Sequence, residues 1–200
     1  MSEILVNTIK KADGTGSLTV PAETGTVLTS GTALTSFPSD FANGITHSSQ
    51  YRLDASVAIS SSGDVLTNWV LGHNFSYGSL GTAVSHSSGT FTFPANGIWL
   101  VINVSGQYSN NGAITYMGTR MRLSTDNGSS FFIVTSDVSS SSANSYYINE
   151  ATTLTTFDVT DYTQTQLRLE GVTNDTTNAR WLGSNNEVRT TVTFIRLGDT

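Results

Sequence analysis

Cysteine is absent from this chain, which removes disulfides, dithiol redox chemistry and thiolate metal sites. Stability must then come from packing or assembly. Charge is scarce as well: charged residues make up 12% of the 200, against about 25% in ordinary soluble domains. Lys10 and Lys11 are the only lysines, and Arg120, Arg122, Arg168, Arg180, Arg189 and Arg196 stand singly or in alternation. No basic stripe follows from that scatter, so nucleic acid is not an expected partner. Apolar runs fall short of the roughly eighteen residues that span a bilayer, and membrane insertion is not expected. The start MSEILVNTIKK lacks the long apolar stretch of a secretory signal, so work outside a cell implies a route other than cleaved export.

What the chain has in abundance is Ser, Thr and β-branched residues, with aromatics at 10% and a net charge of −6. Such a composition favours strands and turns and argues against disorder. Its first part differs from the rest. GTGSLTV, TGTVLTS and SGTALTS follow closely on one another, a short quasi-repeat with too little apolar face to fold alone. Turn formers then gather in SFPSDFANGITHSSQ, Ser36 to Gln50. The expected division is an extended anchoring or fibre-like segment at 1–45 and a β domain at 46–200. Within the latter, strand-length runs lie at Tyr51–Ser60, Val65–Leu71, Thr90–Phe93, Ile98–Tyr108, Ile114–Thr125, Phe131–Thr135, Ala151–Val159, Gln166–Val172 and Val188–Leu197. No window holds a 3.6-residue apolar period. So many strands imply a sandwich or jelly roll.

Alternation assigns the faces. Leu167 and Leu169 oppose Gln166, Arg168 and Glu170, and Met117, Met121 and Leu123 oppose Tyr116, Arg120 and Arg122. The run Ile98 to Val104 differs, because Ile98, Leu100, Ile102 and Val104 line one side while Trp99 and Val101 line the other. Both sides call for cover. Pro94 cannot donate to a ladder and Gly97 tolerates positive φ, so FPANG ends one strand and turns into the next. We expect a second subunit to cover the strand's second face, Trp99 and its neighbours included.

Catalysis needs a constellation, and the sequence offers none: no G-x-S-x-G, no H-E-x-x-H, no P-loop and no G-x-G-x-x-G. An enzyme is not expected. His47, His73 and His86 are separated in polar sequence and read as surface or loop residues. Asp158 with Asp161 reads as a solvated turn rather than a glycosidase pair. Asp126-Asn127-Gly128 lacks the spaced acids of a calcium loop and reads as a hairpin turn. Binding is better supported than chemistry. The polar loop Ser136 to Tyr147 ends in Tyr146 and Tyr147, and the loop Gly171 to Glu187 carries Arg180 and Trp181. Aromatic rings that stack on sugars beside Asn, Ser and Arg donors suit a cell-surface glycan, while the other reading, and the preferred one, has Tyr146 and Trp181 packing against the trimer seam or capping the sandwich.

The central stretch resembles the C1q-like branch of the C1q/TNF superfamily, whose pattern is T-G-x-F-x-x-P-x-x-G-x-Y-x-F. Here Ser88, Gly89, Phe91, Pro94, Gly97, Trp99 and Val101 keep the spacing, with Ser for Thr, Trp for Tyr and Val for Phe. TVTFIRLG, Thr191 to Gly198, is similar to the family's final strand and LRLEGV to its penultimate one, so the likeness covers Gln50 to Leu197. It implies an all-β jelly-roll sandwich of ten strands and a homotrimer, with Phe91, Phe93, Trp99, Val101 and Phe194 in the core or along the trimer seam. Some members carry an axial calcium; no other metal or cofactor is implied. The segment ILVNTIKKADGTGSLTV resembles tail-fibre and other virion segments of bacterial viruses. That likeness implies a virion structural protein that binds other virion proteins through residues 1–45 and attaches to host-surface glycan. A capsid cement or head-decoration protein, a glycan-degrading virion enzyme and a secreted C1q-like protein of a cellular organism remain open.

Overall fold

The alternating runs on either side of Pro94 form consecutive strands. The computed structural model describes residues 44–72, 78–111, 113–141 and 148–200, all within one unit, Asn43–Thr200. The anchoring segment expected at 1–45 therefore lies, but for its last two residues, outside the described residues. In chain order the strands are β1 (Ser48–Leu53), β2 (Trp69–Leu71), β3 (Ser79–Leu80), β4 (Ser85–Ser87), β5 (Thr90–Thr92) and β6 (Gly97–Ser109). There follow β7 (Ile114–Ser124), β8 (Phe132–Ser141), β9 (Ile148–Val159), β10 (Gln166–Thr173), β11 (Ala179–Trp181) and β12 (Thr190–Gly198). Among the described residues there is no α-helix, and so no helix long and apolar enough to cross a membrane.

The strands make two antiparallel sheets. In the seven-stranded sheet the path runs β11-β6-β12-β1-β2, with β9 on the other side of β6 and β3 beside β1. The five-stranded sheet runs β4-β5-β10-β7-β8. Consecutive strands repeatedly lie in opposite sheets or far apart in one, as in a jelly roll. Gly97, at φ 132°, takes the conformation that its place after Pro94 requires. A Cβ there would lie 2.4 Å from the Gly198 carbonyl oxygen, so close strand approach adds to the demand.

The β6–β12 and β6–β9 registers fix which side of β6 is inside. Trp99 and Val101 point between the sheets, where Phe91, Phe93 and Phe194 join them, all buried. Their rings meet edge-on or tilted, with centroids 5.0 Å apart for Phe91–Phe194 and 5.2 Å for Phe93–Trp99, arrangements that suit ring quadrupoles. The Trp99 indole N–H donates to the Ala95 carbonyl at 3.2 Å, so the FPANG turn caps the residue it introduces. This corrects the sequence expectation for Trp99: a single subunit encloses it completely. The opposite sheet supplies the cover, because Phe91 of β5, Phe93 just after it, and Leu167 and Leu169 of β10 join Trp99 and Val101 in one buried cluster.

Farther along β6 the inward face turns polar. Asn103, Ser105, Gln107 and Ser109 are all fully buried. Asn103 donates to the Thr191 carbonyl at 2.7 Å and Thr119 to the Ser105 hydroxyl at 2.8 Å, so these groups exchange water for protein partners. The Gln107 amide is an exception, since neither its oxygen nor its nitrogen has a partner.

Several elements depart from the sequence reading. The run Tyr51–Ser60 is a strand only to Leu53; beyond it the chain crosses from one sheet to the other, bridging Val57 to Trp181 and Val65 to Glu170. The Ser-rich stretch after Thr135 continues β8 to Ser141 instead of forming a loop. Pairing with β7 outweighs its weak apolar pattern. The short β3, β4 and β11 carry too few residues for a period-2 signal.

Candidate functional site

Each binding residue expected from the sequence has a definite fate. Trp181 is fully buried, because β11 pairs with β6 in a register that sets Trp181 beside Gln107 on the inward face. Its ring lies on Gly171, where a Cβ would come within 2.7 Å of it, and its indole N–H donates to the Gly118 carbonyl at 3.2 Å. It is a core residue and cannot stack on a sugar. Arg180, its neighbour, points the other way, but it donates to the Thr177 and Ala179 carbonyls at 2.9 and 2.7 Å and so braces its own loop. Tyr146 and Tyr147 lie outside the described residues. The glycan-binding pair at Arg180 and Trp181 is therefore not formed.

The histidines also separate. His47 accepts or donates at Nδ1 with the Thr46 hydroxyl at 2.9 Å, and His73 is outside the described residues. His86 is no loop residue. It sits on β4 with its ring 5.2 Å from Tyr51 and 5.5 Å from Phe91, and its Nδ1 is buried without a partner. Tyr51, whose hydroxyl donates to the Val84 carbonyl, has its ionisation pushed up by burial. Among the described residues no three His, Asp or Glu side chains gather to hold a metal ion.

Of the acids that sequence reading assigned to turns, Asp126 and Asp161 do serve turns, whereas Asp158 lies exposed on β9 opposite Ile98. Asp126 accepts from the Ser130 hydroxyl and backbone N–H and from Ser124. Those bonds, the Ser130 hydroxyl first, hold its carboxyl down from 3.8 to about 2. Asn127 and Gly128 follow at φ 53° and 83°, a left-handed pair at the centre of the turn closed by the Ser129 N–H on the Asp126 carbonyl, inside the loop that joins β7 to β8. Asp161 accepts from Thr163 at its backbone N–H and hydroxyl, and the hydroxyl bond leads in holding its carboxyl below the usual range.

Among the described residues, nothing covers the outer face of the seven-stranded sheet. Register puts Leu154 of β9 beside Ile102, Leu100 beside Ile195 of β12, and Leu80 of β3 at the far side of β1. Ile98, Leu100, Ile102 and Val104 stay half-buried there, whereas Leu154 is 57% exposed. A second apolar group follows the β8 edge, where Phe132, Ile133 and Val138 are each about half exposed. β8 and β9 adjoin across the edges of the two sheets, tied by the Thr152 N–H to the Asp137 carboxylate at 2.8 Å. One subunit thus presents an apolar sheet face and an apolar edge. Alternation in the sequence pointed to the face; of the edge, Phe132 and Ile133 lie in the strand run Phe131–Thr135, and only Val138 sits in a stretch that reads as polar.

No protein-family model matches this chain, and no curated protein sequence does. Solved structures do match in fold. Eiger TNF from S. frugiperda aligns with a TM-score of 0.56 at 8% identity, over 79% of this chain and 96% of that one. Murine APRIL at pH 5.0 gives 0.52 at 14% identity, and at pH 8.0 0.51 at 10%, each over 76% of this chain and 99% of the other. Identities this low speak for the fold alone, and two antiparallel sheets in the strand order above agree with them. The chain is an all-β protein with a TNF-like jelly-roll fold.

Proposed function

We propose that this chain is a homotrimeric structural protein of a bacterial virus particle, and that it attaches the particle to the host surface without acting as an enzyme. The observation that carries the assembly is the apolar outer face of the seven-stranded sheet, with Ile98, Leu100, Ile102 and Ile195 only half-buried and Leu154 and Leu80 exposed. A face of that kind favours a partner. The exposed β8 edge is its natural complement on a second copy, and a face-to-edge contact is heterologous, so it closes on itself only as a ring. The threefold closure is the one that the C1q-like likeness around Ser88 to Val101 implies. The virion setting rests on the tail-fibre likeness of ILVNTIKKADGTGSLTV and on the quasi-repeat that follows it. Three copies would add weak contacts into firm attachment through avidity.

Mass determination in solution tests the assembly: three times the 21.3 kDa chain is expected, and a lone-chain mass at micromolar concentration overturns it. Imaging of labelled particles and adsorption of particles depleted of the protein test the setting. Loss of adsorption supports attachment. Normal adsorption with lowered particle stability transfers the role to capsid decoration, and cleavage of host envelope polysaccharide by the purified protein replaces both with an enzyme.

A further inference from the structure

The other sheet carries a feature that scatter along the sequence conceals. The β7–β10 register sets Arg168 directly opposite Arg122 and Glu170 opposite Arg120, all on the outer face. Three guanidinium groups therefore stand on one face with a single carboxylate. Glu170 is spent on two of them, accepting from Arg120 Nε at 2.6 Å and lying 3.4 Å from Arg122 Nη1. Among the described residues Arg168 has no carboxylate partner; its Nε donates to the Thr90 hydroxyl at 2.9 Å, and its guanidinium carbon lies 3.9 Å from the Phe131 ring centroid. Arg122 donates to the Phe131 carbonyl, while its Nε is buried with no acceptor.

Like charges placed directly opposite across two strands repel. Three arginines less one glutamate leave two positive charges uncompensated, in a protein whose total is −6. Phe131 and Thr90 hold Arg168 in place, so ordering its side chain costs a ligand little. Forked guanidinium donors match the planar oxygens of carboxylate and the tetrahedral ones of sulfate. A single seat with no continuing row of cations does not follow a nucleic-acid backbone.

We propose that Arg122 and Arg168 form a seat for one carboxylate or sulfate group of an acidic polysaccharide. This deepens the attachment reading by naming its ligand class and depends on that reading only for its biological setting. The seat lies on the sheet opposite the apolar assembly face.

The test titrates the full chain, at low ionic strength, with oligogalacturonate and with sulfated dextran oligomers. Methyl-esterified oligogalacturonate, neutral dextran and oligothymidylate serve as comparators. Binding to one or both acidic sugars and not to the esterified or neutral ones is expected, and it should weaken as salt rises. Arg168→Gln should lower affinity about tenfold with Arg168→Lys intermediate, and Arg189→Gln, in an exposed pair with Glu187, should change nothing. Should Arg168→Gln fail to fold, the Nε–H resonances of Arg122 and Arg168 in the wild-type protein supply the readout, and they should shift on titration. No binding to either acidic sugar, unchanged affinity in folded Arg168→Gln, resonances that do not move, or equal binding of oligothymidylate each overturns the seat. A trimeric virion protein that binds neither sugar overturns the seat alone. Sugar binding by a protein absent from the particle overturns only the attachment reading.

Discussion

Gln107 holds a fully buried amide whose oxygen and nitrogen both lack partners. A buried polar group without a hydrogen bond costs more than the bond would contribute, so removing it should help. Gln107→Met, similar in length and apolar, is expected to raise stability by about 1–3 kcal/mol, read as a higher denaturant midpoint with unchanged slope. Trp181 gives the opposite case. It fills the space over Gly171 and satisfies its own N–H, so Trp181→Ala should cost about 3–5 kcal/mol. A change in glycan binding without that loss would return Trp181 to the surface role the sequence suggested. Burial favours the packing reading of Trp181 over the glycan one, a choice that an aromatic residue among asparagines leaves open in sequence and that pairing of β11 with β6 decides by turning Ala179 and Trp181 inward.

At the scale of elements, the turns are held by acids and the strands by register. Asp126 links Ser124 to Ser130 across the β7–β8 hairpin, and its carboxyl sits at about 2 rather than 3.8. A group depressed in the folded state stabilises it above the unfolded value, and that contribution fades as pH falls from 3.8 toward about 2. Asp64, Asp161 and Asp175 are depressed by comparable hydroxyl, amide and backbone bonds and should add to the same acid loss. In Asp126→Asn the fall in melting temperature across that window should be smaller than in the wild type, by differential scanning calorimetry; an equal fall refutes the assignment. The hairpin itself was legible from Asp126-Asn127-Gly128, because a left-handed pair is written in its residues. The continuation of β8 to Ser141 was not, since a serine-rich edge strand exists through its partner rather than through its own pattern.

For the whole molecule, the question is what covers the face bearing Ile98, Leu100, Ile102 and Val104. If a second copy does, a charge placed there should dissociate the assembly without unfolding the subunit. Leu100→Asp is expected to give single chains of native circular dichroism by sedimentation, and a persistent trimer would move the interface elsewhere. The same substitution at Val101, on the inward side of β6, should instead unfold the chain. The two faces of one strand thus separate assembly from folding.

The alternation of apolar residues determined the sheet class, the main strands and the two sides of β6, because a period of two is local and needs no partner to be read. For Phe91, Phe93 and Phe194 the C1q-like likeness implied core or trimer seam, and they are buried between the sheets. Only the tertiary structure decided that Trp99 is enclosed by one subunit, that Trp181 is interior, and that Arg122 and Arg168 stand side by side. Those facts depend on which strand lies next to which and in what register, and pairing between residues dozens of positions apart leaves no mark in either segment alone.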